Sequence, residues 1–503
     1  METLKILQYN AGHCRAAAAE LEQKLMAENI DVALISEQYT SSIYGYNKVE
    51  SGRAMILVKY GIQYRKIAAV GDTVAVEVGE TRIVSLYWSP NEDISGPLLD
   101  VEGILQSQPN GKWLLGGDLN VGITPWVERC TLNHRKKMRS EKAEAALIAM
   151  DLTICNNREP TSYHQGRETI NDYTLTKGVV VEGWRVLREG ELSGHRFIQF
   201  KLSSVRYEVR EQITLKTNLD KYEGLVCKGM PNLLEYNTRS NTIKNATLIT
   251  EWLSEAIKQS TEEEPVRRSS QWWTAEIEAL KVKYNRARTR QIRCKIPDLK
   301  EILKDEARTA KKEYIKAIYE AKEATWRAFI SQNQAWGRPY KLIVKPKRGY
   351  GVQPGIKYEN LEEVTKTAEE SEELLLRSKF PTSNETLLNW REEDKNMEDN
   401  KAVLVDPEEI TQFLKGRNNK TSPGMDQIQW KHLKILNKKR PKILEDLYNG
   451  CLRHRVFPEK WKEGRVCFIL KPDKPQDEIG SYRPITLLSC LGKTLERLIK
   501  NRL

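Results

Sequence analysis

The chain has 503 residues, 39% of them hydrophobic and 30% charged, with 81 Lys and Arg against 69 Asp and Glu for a net charge of +12. At about 150 residues per domain this length implies two to four units, and the composition is that expected of a globular protein, not of a disordered or membrane one. No stretch approaches the ~18 consecutive apolar residues of a membrane helix, and METLKILQYN has neither a basic n-region nor a cleavable apolar core, so an intracellular protein off the membrane is expected.

The charge is uneven. Between Lys281 and Arg348 stand 20 Lys and Arg against 7 Asp and Glu, a surplus of 13, so the rest of the chain sums to −1. Such a concentration favours a polyanion partner, nucleic acid first, through phosphate neutralisation and counterion release; a solvated helical surface explains it equally well. The cysteines (Cys14, Cys130, Cys155, Cys227, Cys294, Cys451, Cys467, Cys490) are scattered singly with no CxxC pair. Reduced thiols are expected, with neither disulfide nor zinc site.

Residues 1–203 read as α/β. Short β-rich runs (KILQYN, VALISEQ, AMILVK, TVAVEV, RIVSLYW, KWLLGGDLN, LTICNN, NDYTLT, WRVL, FIQFKL) alternate with turns,. Helical spacing is clearest over 16–29 and over 140–150, the second opened by Ser140 as a cap,. So many strands with so few helices favour two mixed sheets packed face to face with helices outside, a four-layer sandwich, over a doubly wound sheet. Residues 204–350 change character: long charged helices, interrupted at Lys295-Ile296-Pro297, form a basic helical linker,. An acidic stretch from Glu362 to Asp399 follows within a helical region 351–460, and helices punctuated by Gly and Pro fill the remainder.

Polar residues recur where apolar runs end. WLLGGDLN closes on Asp118 and Asn120, which share one side if the strand continues,. A carboxylate that orients or activates water beside an amide that donates to a phosphate oxygen suits phosphodiester hydrolysis. VALISEQY ends in Glu37, KILQYN in Asn10, SLYWSPN offers Tyr87, and INDYTLT supplies Asp172. In LSGHRFIQFKL a lone histidine, His195, follows a Ser-Gly turn at the mouth of an alternating run. A carboxylate such as Glu37 at the end of a buried strand is a candidate ligand for a hard divalent cation. Taken singly, each has a plain reading as a turn, cap or packing residue.

The ordered set Asn10, Glu37, Tyr87, Asp118, Asn120, Asp172, His195, centred on GGDLN, resembles the endonuclease/exonuclease/phosphatase superfamily over residues 1–203. The resemblance implies a metal-dependent phosphodiesterase using Mg²⁺, with Mn²⁺ as a substitute. Asn10 and Glu37 would hold the metal, Asp118 would position or activate water, and Asn120 and Tyr87 would contact the phosphate. Asp172 would orient His195, which would stabilise the charge of the phosphorane. One departure matters: where the family carries Ser-Asp-His, this chain has Ser193-Gly194-His195.

Further on, NNKTSPGMDQIQWKHLK, VFPEKWKEGRVCFILKPDKP and GSYRPITLLSCLGKTLERLI follow one another in the order found at the start of reverse transcriptases of non-LTR, LINE-like retrotransposons. Trp272-Trp273 and the segment Trp336 to Tyr340 resemble the linker of such polyproteins, and insect site-specific elements look closest. The resemblance implies a reverse transcriptase whose first blocks occupy 461–503, with Lys471 and Arg483 near the triphosphate of an incoming nucleotide. The sequence holds no palm carboxylates, so no polymerisation is expected of it. The implied activity is nicking of double-stranded target DNA in the nucleus to expose a 3′-hydroxyl, with element RNA bound by 281–348. The alternatives are an inactive relic that only binds nucleic acid, and another phosphodiesterase of the superfamily, such as an abasic-site endonuclease or a lipid or inositol phosphatase.

Overall fold

The computed structural model describes residues 3–39, 43–123, 134–164, 167–189, 192–203, 213–265, 272–331, 352, 354–358, 363–380, 404–419, 421–471 and 474–502. Two compact units emerge, one of residues 1–211 with 267–355 and one of 212–266 with 356–503. Trp336 to Tyr340, Cys130 and the later part of the acidic stretch lie outside the described residues.

The first unit holds two six-stranded mixed sheets. One runs, edge to edge, β13 (Val181–Leu187), β14 (Phe197–Leu202), β1 (Leu4–Asn10), β2 (Val32–Ser36), β4 (Ala54–Lys59) and β3 (Tyr46–Ser51). The other runs β5 (Arg65–Val70), β6 (Thr73–Val78), β7 (Thr81–Tyr87), β8 (Lys112–Asp118), β12 (Asp172–Lys177) and β9 (Thr153–Ile154). A small hairpin, β10 (Ser162–His164) with β11 (Arg167–Thr169), stands apart. Leu4, Ile6, Val32, Leu34, Ile56, Val76, Ile83 and Leu114 fill the space between the sheets at no more than 1% exposure. The strands at the centre read as near-continuous apolar runs because both their faces are covered.

Helix α1 (Arg15–Ala27) covers the outer face of the first sheet, and α2 (Ser95–Gln106) and α3 (His134–Ala149) cover the second. These are the four layers expected. Helix α3 begins earlier than Ser140, since HRKKMR is made of fair to good helix formers,. Ser140 is therefore no cap. It is buried in the helix, and its hydroxyl accepts from the Gly122 N–H at 3.0 Å.

The chain next passes through β15 (Ile213–Thr217), α4 (Leu219–Lys228), α5 (Arg239–Ser260) and β16 (Thr261–Pro265), which belong to the second unit, and returns to the first in α6 (Ala275–Arg293) and α7 (Pro297–Ser331). These are the basic helices. They form an antiparallel hairpin that packs on α1: Trp272, Ile277, Tyr284, Ala310, Tyr314 and Ile318 share one core with Tyr9, Ala16, Ala17 and Leu21. The segment read as a linker thus contributes a layer to the first unit, because its apolar stripe needs a partner that charge-rich sequence obscures. Lys283 and Glu313 bridge the two helices at 2.7 Å, and Lys316 pairs with Glu320 at 3.7 Å along α7.

The second unit is mostly helical. Its core joins α4 and α5 to helices Pro407–Lys415, Trp430–Lys439, Pro441–Arg453 and Cys490–Lys500 through Tyr222, Ile249, Leu253, Leu433, Leu447 and Leu495. A two-stranded ribbon, β17 (Gly464–Leu470) with β18 (Tyr482–Leu488), lies beside them.

Candidate active site

The strand ends converge because of topology. β1 and β2 are parallel with Asn10 beside Ser36, β7 and β8 are parallel with Tyr87 beside Asp118, and β12 enters antiparallel with Asp172 opposite Asp118. β14 runs antiparallel to β1, so His195, just before it, meets the end at Asn10. Asn10, Glu37, Tyr87, Asp118, Asn120, Asp172 and His195 therefore gather along one edge of the sandwich.

The glycines of GGDLN serve the packing that builds this edge. A Cβ on Gly117 would overlap the Leu86 carbonyl, and one on Gly116 would stand 2.6 Å from Gln8 Oε1 and 2.7 Å from Leu34 Cδ1. Close approach here lets Gln8 cross between the sheets: its amide donates to the Tyr173 carbonyl at 3.1 Å and its Oε1 accepts from the Thr174 hydroxyl at 2.9 Å.

Asp118, Asp172 and His195 form the buried centre. The Asp172 carboxylate accepts from or pairs with His195 Nδ1 at 2.9 Å, and His195 Nε2 faces Asp118 Oδ2 at 3.9 Å. Asn10 Nδ2 donates to Asp118 Oδ2 at 2.9 Å, and the Asn120 N–H donates to Oδ1 at 3.1 Å. Burial, then the charge of Asp172, pushes the Asp118 carboxyl up, against the pull of His195. Burial alone would lower His195, but the charge and hydrogen bond of Asp172, with Asp118 and Glu37 beyond, outweigh it and raise the imidazole to about 9,. A cationic ring thus stands between two acids.

The strand does not continue through Asn120. It ends at Asp118, and Asn120 adopts φ +50°, so the amide turns and donates to the Trp88 carbonyl at 3.0 Å. Asp118 and Asn120 remain neighbours through the backbone contact and not through strand alternation. Glu37 also sits at positive φ, +47°. Such outliers cluster where a site over-determines its backbone. Burial and the charge and hydrogen bond of Glu37 push the Tyr87 hydroxyl well up, so it stays a donor; Arg53 stacks over its ring at 4.6 Å and is itself held by Asp72.

Sequence reasoning missed the supports. Ser193 donates to the Asn10 carbonyl at 2.7 Å and accepts from the His195 N–H at 3.2 Å. Thr161 Oγ1 accepts from the Asp172 N–H at 3.1 Å, and Asn156 donates to the Asp172 carbonyl at 2.9 Å. Asn156 at the end of LTICNN was the one visible signal. Gly194 takes φ +95°, a conformation that side chains rarely adopt, and its carbonyl accepts from the Tyr163 N–H at 2.7 Å,.

A divalent cation suits this donor set. Asn10 and Glu37 bring oxygens to adjoining strand ends, and ligand atoms of Asp118, Asp172 and His195 all lie within 4.8 Å of one another. Glu37 adds a further carboxylate at this edge, whose charge a cation would balance.

Lys471 and Arg483 belong to the other unit, at the end of the β17–β18 ribbon where the chain turns from one strand to the other and Ile469 pairs with Arg483. Arg483 is exposed, and the Lys471 ammonium donates to the Gly480 carbonyl at 2.7 Å.

No family model matches the chain. It is 25% identical over its whole length to the probable RNA-directed DNA polymerase from transposon BS of Drosophila melanogaster, covering 59% of that protein. Over 84% of the chain it is 26% identical to the retrovirus-related Pol polyprotein from the type-1 retrotransposable element R1 of Bradysia coprophila, covering 44% of it. The chain thus spans less than two thirds of these relatives. Among solved structures, the endonuclease domain of TRAS1, a telomere-specific non-LTR retrotransposon, aligns with 40% of the chain and 98% of its own at 20% identity and a TM-score of 0.37. An AP endonuclease from Archaeoglobus fulgidus aligns with 40% and 99% at 15% identity and a TM-score of 0.33. By sequence, this chain is similar to RNA-directed DNA polymerases and a Pol polyprotein of transposable elements.

Proposed function

We propose that the first unit is a metal-dependent endonuclease that nicks double-stranded target DNA for a non-LTR retrotransposon, leaving a 3′-hydroxyl from which reverse transcription is primed. The carrying observation is the buried constellation of Asp118, Asp172 and His195, with Asn10 and Asn120 fixing the two Asp118 oxygens. Asp118, its two oxygens held by Asn10 and the Asn120 N–H, is placed to take the proton of an attacking water,. Water adds to phosphorus, the bond from phosphorus to O3′ breaks, and the departing oxygen takes up a proton to become the 3′-hydroxyl. His195, held cationic by Asp172, faces the charge that grows on the phosphorane, with the Tyr87 hydroxyl on the neighbouring strand end. Mg²⁺ or Mn²⁺, held by Glu37 and Asn10, would supply Lewis-acid stabilisation of the phosphate oxygens when bound.

Chromosomal DNA as the target sets the place of action in the nucleus. The basic segment 281–348 is assigned to nucleic acid, element RNA included, and the ribbon carrying Lys471 and Arg483 to the start of a reverse transcriptase. The test uses the full chain, since the α6–α7 hairpin covers apolar residues of α1. With Mg²⁺ it converts supercoiled plasmid to nicked circles, and Asp118→Ala loses that conversion. Equal nicking by both proteins, or none by either, removes the proposal.

A further inference from the structure

The loop that delivers His195 is gripped from two sides. Leu192, Ser193 and Gly194 precede the histidine. On the sheet side Ser193 donates to the Asn10 carbonyl at 2.7 Å, and its hydroxyl lies 3.2 Å from that of Tyr9. On the other side the contacts come from helices α6 and α7. Lys311, half-buried on α7, donates through Nζ to the Leu192 carbonyl at 3.1 Å. The buried Leu192 side chain shares one core with Trp272, Tyr284 and Tyr314. The Gly194 carbonyl accepts from the Tyr163 N–H at 2.7 Å, and α6 holds that tyrosine: Arg288 lies over its ring at 4.5 Å and Gln291 Nε2 reaches its hydroxyl at 3.5 Å. Just after β13, upstream of the same loop, Glu189 pairs with Lys24 of α1 and, at 2.8 Å, with Lys281 of α6.

These contacts bear on where the imidazole stands. Gly194, at φ +95°, leaves the direction of the next residue underdetermined unless the peptides around it are fixed,. Lys311 fixes the peptide between Leu192 and Ser193, and Tyr163 fixes the one between Gly194 and His195. The bond from Lys311 is charge-assisted, hence stronger than one between neutral groups. His195 has to meet Asp172 at 2.9 Å while facing Asp118 at 3.9 Å, and a displacement of about 1 Å is enough to slow chemistry that depends on such alignment. We propose that the α6–α7 hairpin is a positioning element for His195, with Lys311 setting the Leu192 carbonyl and so the loop that carries the imidazole to the two acids. Helices outside residues 1–203 thereby place a residue that lies within them. The effect on nicking rests on the nuclease reading above; the effect on the imidazole does not.

The test follows the His195 ring signals by nuclear magnetic resonance in the full chain, labelled at its histidine nitrogens, in EDTA and without DNA. His195→Gln identifies those signals by their loss. Lys311→Met removes the donor and keeps the apolar stem. Its His195 signals shift and broaden, and kcat for plasmid nicking with Mg²⁺ falls about tenfold while KM for DNA stays within about twofold, the pattern of a misplaced group. Lys311→Arg, which can donate to the same carbonyl, restores both. Lys66→Met removes equal charge from an exposed position on the edge strand β5 and keeps the wild-type signals and kcat. Circular dichroism checks folding, and Lys311→Gln, whose amide stops short of the carbonyl, takes the place of the Met variant if that one unfolds. Wild-type His195 signals in Lys311→Met, moved signals beside a wild-type kcat, or the same changes in Lys66→Met overturn the proposal. Because the ring signals are read without cleavage, a chain that never nicks but shows the loss and the rescue removes the nuclease reading and leaves the positioning.

Discussion

Asp118 and Asp172 are direct cross-strand partners on antiparallel β8 and β12, both 2% exposed. Two carboxylates so placed repel each other at close range with little water to screen them, which ordinary folding would select against. Each is offset by a specific donor: Asn10 at 2.9 Å from Asp118, and His195 at 2.9 Å from Asp172. A costly pair that is individually satisfied marks a site kept for chemistry.

Asp172→Asn removes the charge that keeps His195 protonated while keeping the size of the side chain. The imidazole then titrates well below about 9, because burial acts with less opposition. Nicking at pH 7.5 falls by about a hundredfold, the usual scale for losing one proton-transfer or charge-stabilising group. Imidazole nitrogen shifts followed against pH, alongside plasmid nicking, check both halves; an unmoved titration would mean that Asp172 only packs.

On the proposed reading, in which Glu37 holds a divalent metal, binding of that metal stabilises the folded chain. At a Mg²⁺ concentration a hundred times its dissociation constant the gain is about 2.7 kcal/mol, read as a rise in melting temperature over an EDTA sample at pH 8. Glu37→Gln keeps the melting temperature in EDTA and loses most of the rise. A rise of equal size in that variant would place the metal elsewhere.

Glu20 makes stability fall with pH. Its carboxyl is buried beneath α7, where the Tyr314 hydroxyl donates to it at 3.2 Å. Burial raises it from 4.5 to about 7, with Lys281 pulling the other way. Between those values the folded chain holds a proton that the unfolded chain has released. The stabilisation is therefore present below about pH 4.5 and lost as pH rises through 7, by about 3 kcal/mol at most. Glu20→Gln keeps the acceptor for Tyr314 and flattens that decline, so it melts higher than the wild type at pH 8. Parallel melting profiles for the two proteins between pH 5 and 7.5 contradict the assignment.

Gly194→Asp restores the acid of the related Ser-Asp-His pattern at a position with φ +95°. Forcing a side chain into that region costs about 1–3 kcal/mol, so the variant melts lower and nicks no faster. Faster nicking at unchanged stability would show that the loop accepts the acid and that the site lacks a ligand without it.

Much of this was legible in one dimension. Every apolar run named between KILQYN and FIQFKL became a strand, because period-two or continuous apolarity bounded by turns has few other uses,. The polar residues at their ends were visible as misfits. Three features were not. Asn120 turns away because a left-handed residue leaves no mark in composition. Ser193 and Thr161 are supports of a common residue type whose value lies in what they touch. The α6–α7 hairpin looked like a solvated linker because its charged faces outnumber the narrow stripe of Tyr284, Ala287, Ala310, Tyr314 and Ile318 that packs on α1.

The sequence by itself determined which polar residues stand where apolar runs end and which of those runs form strands, since both follow from side-chain type and short-range period. Only the tertiary structure decided their partnerships. Asp118 opposite Asp172, His195 between them, and Lys311 on the Leu192 carbonyl all depend on strand order and helix packing. Those contacts are set by how separate apolar faces bury one another, a long-range choice that no local pattern encodes.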